Sequence, residues 1–212
     1  YLYGEFIFLQ IHRSSNGGAS ASYITNGLVD AGTAANFIAP FILDPNNPAT
    51  MLAGGASLWR CKNVRAAFNI SWARVRNAGT SYISAIAVAP GNSDLIWVGQ
   101  NDGRIEKSIN GTATTPTWSV IDDNGTTNPL PNRYCTRLVI DPLDHDTAYA
   151  AFGGFLPDNL WRTTDGGVTW QDVTGAGPTG LPDAPIRGVA LHPNRRGWVY
   201  VGSEVGVFAS AD

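Results

Sequence analysis

Residues 163–170 read TTDGGVTW, and pieces of that string return along the chain: SSNGG at 14–18, SING at 108–111 with Trp118 after a short insertion, and SAD at 210–212. A degenerate copy, CKN, starts at Cys61 and is followed by Trp72. The first positions 14, 61, 108, 163 and 210 lie 47 residues apart in three steps and 55 apart in the other. A fixed period of about 40–50 residues restricts the fold to repeated supersecondary units, each burying its apolar face against its neighbours.

A second landmark keeps phase with the first. FILDPNNP (41–48), IAVAPGNS (86–93), LVIDPLDH (138–145) and VALHPNRR (189–196) each join an apolar run to a Pro-containing turn. A second apolar strand follows each turn: TMLAGG (50–55), LIWVGQ (95–100), TAYAAFGG (147–154) and WVYVGS (198–203). Every unit therefore opens with a β-hairpin. A third strand such as NLWRT (159–163) or GVFAS (206–210) precedes the recurring turn, and a fourth such as TWQDV (169–173) follows it. Four short strands per repeat make a propeller blade. The expected fold is all-β, a β-propeller of four-stranded blades forming an incomplete arc of about four blade-equivalents. The phase divides 1–212 into complete repeats over 36–80, 81–131 and 132–183, with partial units at 1–35 and 184–212.

The turn residues recur for a chemical reason. A Ser or Thr hydroxyl and an Asp or Asn side chain can bond nearby backbone N–H groups and replace ladder bonds lost at the bend. Ser14, Asn16 and Gly18, Ser108 and Asn110, Thr163 and Asp165, and Ser210 and Asp212 hold these positions. Gly166 and Gly167 supply positive φ, and the indole of Trp170 is expected to pack on the next sheet. Turn capping accounts for the identity, spacing and repetition of Asp165, which is accordingly not read as a catalytic acid.

Composition removes several function classes. Net charge is −3, charged residues make up 15%, and only Lys62 and Lys107 are lysines, so there is no basic field to gather nucleic acid or anionic lipid. No apolar run approaches the ~20 residues of a membrane span. The opening YLYGEFIFLQI carries no basic leader, so any signal peptide would lie outside the sequence. Cys61 and Cys135 are the only cysteines and fall in different strands of different repeats, which reads as two buried thiols. No Cys/His ligand spacing occurs, and Asp and His in DPLDHD (141–146) occupy a hairpin turn, so no metal or other cofactor is expected. P-loop, GxSxG and HExxH strings are absent. Three sequons, at Asn69, Asn110 and Asn124, carry meaning only in a eukaryotic secretory setting.

TTDGGVTW resembles the Asp box of the BNR-repeat family, which includes sialidases, sortilin-like receptors and some glucanases. The resemblance covers essentially the whole chain and implies a propeller, with the Asp-box turns on one face and the ligand loops on the other. It does not imply one activity, because the family places unrelated functions on this scaffold. Mapped onto this sequence, the ligand-side loops hold Tyr82, Asn101–Asp102–Gly103, Arg133, Tyr134, Asp158, Arg187 and Glu204, with Arg137 near the entrance of a central channel. Asp102 and Glu204 occupy equivalent loops two repeats apart and are read as solvated loop carboxylates. A sialidase would place three arginines around a substrate carboxylate and carry an Arg-Ile-Pro tripeptide. Here the nearest string is PIRG (185–188), and Arg133, Arg137 and Arg187 are read as forming structural ion pairs. No catalytic residue is assigned.

Set on Ser210, Ser14 places the start of the chain in a second strand and its end in a third. The expected protein is a piece of a longer propeller, with self-association closing the ring as the competing explanation. The function expected is a non-catalytic scaffold or binding platform for protein or carbohydrate, extracellular or periplasmic. The alternative is a fragment of a sialidase-like or glucanase-like glycoside hydrolase.

Overall fold

The structure, a computed structural model, describes residues 1–122 and 130–211; Asp212 and the sequon at Asn124 lie outside the described residues. Five antiparallel sheets follow one another along the chain. Sheet A contains β1 (Leu2–Glu5), β2 (Ile11–Ser14) and β3 (Ser22–Tyr23). Sheet B contains β4 (Phe41–Asp44), β5 (Asn47–Gly54), β6 (Leu58–Cys61) and β7 (Ala73–Arg76). Sheet C contains β8 (Ile83–Ala89), β9 (Asn92–Gln100), β10 (Ile105–Ser108) and β11 (Ser119–Val120). Sheet D contains β12 (Cys135–Asp141), β13 (Asp144–Phe152), β14 (Leu160–Thr163) and β15 (Gln171–Asp172), and sheet E contains β16 (Ile186–Leu191), β17 (Val199–Ser203) and β18 (Gly206–Ser210). Strands pair in sequence order within every sheet, and β12 packs against both β8 and β16, so first strands adjoin from sheet to sheet. No α-helix occurs among the described residues; Gly177–Thr179 form one 3₁₀ turn. The chain is a segment of a β-propeller.

The second strands reach further than expected. β5, β9 and β13 start at Asn47, Asn92 and Asp144, because the Pro turns shrink to two residues: Asp44 pairs with Asn47, Ala89 with Asn92 and Asp141 with Asp144. Proline pre-sets φ at the first turn position, and the carboxylates of Asp44 and Asp141 accept the N–H groups of Asn46 and Leu143 at 2.8 and 2.7 Å. The polar residues after proline are then free to join the ladder. The fourth strands are shorter than expected, β15 covering only Gln171–Asp172.

At the recurring turns the hydroxyl and the Asx side chain bond each other and the backbone. Thr163 Oγ1 donates to Asp165 Oδ1 (2.8 Å) and accepts from Gly167 N (2.9 Å), while Asp165 accepts from Thr169 N (2.9 Å) and Thr169 Oγ1 (2.6 Å). Ser14 and Asn16 repeat the pattern toward Gly18 and Ser20, and Ser108 and Asn110 repeat it toward Thr117. Gly166 and Gly167 have φ of +69° and +88°, and a Cβ on Gly167 would press into Ile121. These bonds outweigh the slight burial of Asp165 and hold its carboxyl below the usual carboxylate range.

Two side chains per repeat tie neighbouring sheets together. The expectation for Trp170 needs correcting, since its indole packs on the preceding sheet: its N–H donates to Ile121 O at 2.7 Å and its ring meets Trp97 edge-on at 5.9 Å. Trp72 donates likewise to Ile24 O (2.5 Å) and Trp118 to Val75 O (2.9 Å). In the other direction a basic residue one place before three of the turns reaches forward to carbonyls of the following turn. Arg13 bonds Val64 O and Ala66 O, Arg60 bonds Gly111 O and Ala113 O, and Lys107 bonds Gly166 O.

The core is divided among four seams between sheets. Met51, Ala53, Trp59 and Trp72 meet Leu9, Ile11 and Ile24 in the A/B seam, and Leu52, Leu58 and Val75 meet Ile86, Val88 and Ile96 in the B/C seam. Trp97, Ile105 and Ile121 meet Phe152, Trp161 and Trp170 in C/D, and Tyr149 and Leu160 meet Val189, Val199 and Val201 in D/E. Cys61 and Cys135 are free and buried in separate seams, and burial pushes the Cys135 thiol up to about 12, leaving it without nucleophilic character.

Candidate functional site on the loop face

Antiparallel order sends the loops between second and third strands, and the connections into each new sheet, to one end of the molecule. Each sequence-derived candidate can be placed there. Arg133 is committed to the 153–159 loop: Nε donates to Gly153 O (2.8 Å), and Nη2 to Asp158 Oδ1 (2.8 Å) and Asn159 Oδ1 (2.7 Å). Asp158 is thereby paired, and its own backbone is left-handed at φ +66°. Arg187 and Glu204 form an exposed ion pair at 2.6 Å. Tyr134 lies near Arg187; burial raises its phenol and the Arg187 charge opposes the rise. Arg137 is exposed on the first strand β12.

Asp102 accepts Arg104 N at 3.2 Å and so caps its own turn. A Cβ on Gly103 would run into Pro131 O and the Arg133 backbone, which keeps that turn tight against the next connection. Tyr82, 37% exposed, lends its carbonyl to Asn101 N at 3.0 Å. Asn101 and Asn36 exchange reciprocal amide bonds of 2.7 and 2.9 Å, joining the 101–104 loop to the connection into sheet B. The structure thus brings together Arg133 with Asp158, and Arg187 with Glu204 and Tyr134. Asp102 joins neither ion pair and instead caps its own turn. No group of three His, Cys, Asp or Glu arranged to hold a metal occurs among the described residues.

The loop face also carries residues that sequence reasoning passed over. Phe6 (66% exposed), Phe37 (61%) and Ile38 (77%) are exposed apolar residues of this face, and the ring of the half-buried Phe8 meets Phe37 edge-on at 5.5 Å. Phe8 and Leu9 both adopt left-handed φ, +49° and +59°, a costly conformation for bulky residues. It is held by Glu5, whose carboxylate accepts Leu9 N at 2.5 Å and Ala39 N at 3.0 Å; burial raises this carboxyl despite those bonds. Phe155 and Leu156 are exposed in the equivalent loop of sheet D, and Tyr82 and Tyr134 are exposed in the connections into sheets C and D. In the sequence these residues fall in stretches of no fixed length between the repeat landmarks.

Between β7 and β10 a second group assembles. Glu106, with a side chain 9% exposed, is bonded by Arg76 Nε (2.6 Å), Arg76 Nη2 (3.1 Å) and Arg104 Nε (2.8 Å). Burial alone would raise this carboxyl, but the bonds and charges of Arg76 and then Arg104 outweigh it and hold it below the usual range. The only signal for this triad in the sequence is an acid at Glu106 where the parallel third strands carry Trp59 and Trp161.

No protein-family model and no curated protein matches the chain. Solved structures do. An ancestral GH74 enzyme is 20% identical over 99% of the chain, with a TM-score of 0.64. YCF48 from Cyanidioschyzon merolae is 17% identical over 94%, with a TM-score of 0.63. PorZ, a bacterial surface component of the type-IX secretion system of Porphyromonas gingivalis, is 19% identical over 95%, with a TM-score of 0.64. The chain spans 29% of the length of the GH74 enzyme and of PorZ, and 62% of YCF48. At these identities the likeness is one of fold, the β-propeller, and the fold hosts enzymes and non-enzymes alike.

Proposed function

We propose that the chain is a non-catalytic stretch of propeller, built from Asp-box (BNR-like) repeats, that binds a protein or carbohydrate partner through its loop face in an extracytoplasmic setting. The observation that carries this reading is the exposure of Phe6, Phe37 and Ile38, with Phe155 and Leu156 exposed in the equivalent loop of sheet D. Aromatic side chains held outward on a strained, hydrogen-bonded loop supply contact area at low entropic cost. The carboxylates of the same face are already engaged: Asp158 with Arg133, Glu204 with Arg187, and Asp102 in its turn. A retaining or inverting glycosidase needs two carboxyl groups facing each other across a sugar. The repeat limits 36–80, 81–131 and 132–183 belong to this reading, as does a role for Tyr82, Tyr134, Arg137 and Arg187 at the bound partner's edge.

The second reading, a fragment of a glycoside hydrolase, is favoured by the likeness to a GH74 enzyme. Incubation with xyloglucan and mixed-linkage β-glucan, followed by a reducing-end assay, separates the two. We expect no release of reducing ends, and retardation in polysaccharide-containing gels that weakens in a Phe6→Ala/Phe37→Ala variant if the partner is carbohydrate. Release of reducing ends that disappears in Asp158→Asn or Glu204→Gln would replace the binding reading by the enzymatic one.

A further inference from the structure

The third-strand rung two places before the recurring turn is aromatic in four of the five sheets, His12, Trp59, Trp161 and Phe208, and carboxylate-bearing only in sheet C, at Glu106. Ala53 pairs with Trp59 and Ala150 with Trp161, yet at the corresponding rung of sheet C Val98 pairs with Glu106. Where sheet D has Thr174 at the end of its fourth strand and Asn159 before its third, sheets B and C bring Arg76 and Arg104. A buried ion pair contributes little net stability compared with well-packed apolar residues of the same volume, so stability alone does not explain the exchange. Sites where a repeat violates its own local rule are where function is expected.

The triad floors an open groove of about 370 Å³ lined by Arg76, Asn77, Thr80, Arg104, Glu106 and Trp118. That is the small end of the range for ligand sites, about 300–1,000 Å³, and gives room for one sugar ring. Two guanidinium groups against one carboxylate leave one net positive charge there. Arg76 is consumed: its Nε and Nη2 hold Glu106 and its Nη1 donates to Ala56 O and Asn77 O. Arg104 differs: only its Nε is bonded, to Glu106, and its 43% exposed side chain lines the groove with the rest of its guanidinium fork unengaged among the described residues. Such a fork matches a planar carboxylate. Asn77 and Thr80 are exposed beside it, and Gly79 lets the backbone lie against Arg76, since a Cβ there would stand 2.8 Å from Arg76 Nη2. Trp118, its N–H already bonded to Val75 O, supplies the apolar wall.

We infer that this groove between sheets B and C binds a single carboxylate-bearing pyranose, with Arg104 receiving the carboxylate, Asn77 and Thr80 the ring hydroxyls, and Trp118 the carbon face. The site is separate from the exposed apolar loop residues, and its test uses other residues, so either proposal can fail alone.

The test is a titration of the ¹⁵N-labelled chain with D-glucuronate, D-glucose and acetate, following the Trp118 indole N–H resonance. Glucuronate should shift it saturably, with glucose and acetate each at least tenfold weaker. Arg104→Gln should weaken glucuronate at least tenfold while leaving the Arg76–Glu106 pair in place. Asn77→Leu, in an exposed loop, should weaken it several-fold and serves if the first variant does not fold. No saturable shift with glucuronate, equal affinity for glucose, equal affinity for acetate, or unaltered binding by both variants would each overturn the assignment.

Discussion

The C/D and B/C seams are built on one plan and filled differently. In C/D, Trp161 lies beside Trp97, Phe152 and Trp170, and its N–H donates to Asp158 O at 2.8 Å. In B/C the same rung is occupied by Glu106, clasped by Arg76 and Arg104. Both seams keep the tryptophan that follows the turn, Trp170 in one and Trp118 in the other, each donating to a carbonyl of the preceding sheet. The outer anchor is therefore the constant part of these two seams, while the third-strand rung tolerates either an apolar or an ionic filling. What changes is the consequence of disturbing it.

The largest effect is expected in C/D. Trp161→Ala should destabilise by about 3–5 kcal/mol, read by denaturant unfolding, since it opens a cavity among large rings. A cost under about 1 kcal/mol would mean the seam repacks and the contrast is overstated. Next is Arg76→Leu, which strands Glu106 with only the half-exposed Arg104; breaking a buried pair costs about 3–5 kcal/mol, reduced here by the remaining partner.

The two seams should also part in their response to pH. The Glu106 carboxyl is held below its unfolded value, so the stability it contributes is present above the ordinary carboxylate pKa of about 4.3 and is lost as pH falls through the lower folded value. Glu106→Gln should flatten that acid limb of the unfolding curve, whereas a Trp161 variant should shift the curve without changing its slope. Smaller still is Asp165→Ala at the turn between β14 and β15, at about 1 kcal/mol for the lost turn bonds. Arg187→Ala, an exposed pair, should fall within about 0.2–1 kcal/mol. A larger loss would mean the Arg187–Glu204 contact supports the loop face more than its exposure suggests.

Much of the fold is legible because the turns write their chemistry into adjacent residues. Thr163, Asp165 and Gly167 bond one another within five positions, so their spacing survives in the sequence wherever the turn does. The same holds for the Pro hairpins, although their two-residue closure depends on Asp44 and Asp141 capping them, which the apolar pattern does not register. The candidate sites were less legible. Arg133 and Asp158 both fall in the ligand-side loops, but nothing local announces that one guanidinium gathers a loop about 25 residues away. Arg76 and Glu106 stand 30 positions apart and meet only because adjacent sheets stack. Phe8 and Phe37 meet through a left-handed bend at Phe8 and Leu9 that no residue type there favours.

The B/C seam is proposed to depart from the repeat for binding and not for stability. The direct measurement restores the repeat with Arg76→Thr, Arg104→Asn and Glu106→Trp together, and records unfolding free energy and D-glucuronate affinity on one sample. The account predicts stability unchanged or raised by about 1–4 kcal/mol, with glucuronate binding abolished. A protein destabilised by several kcal/mol, or one that still binds glucuronate as the parent does, would contradict it.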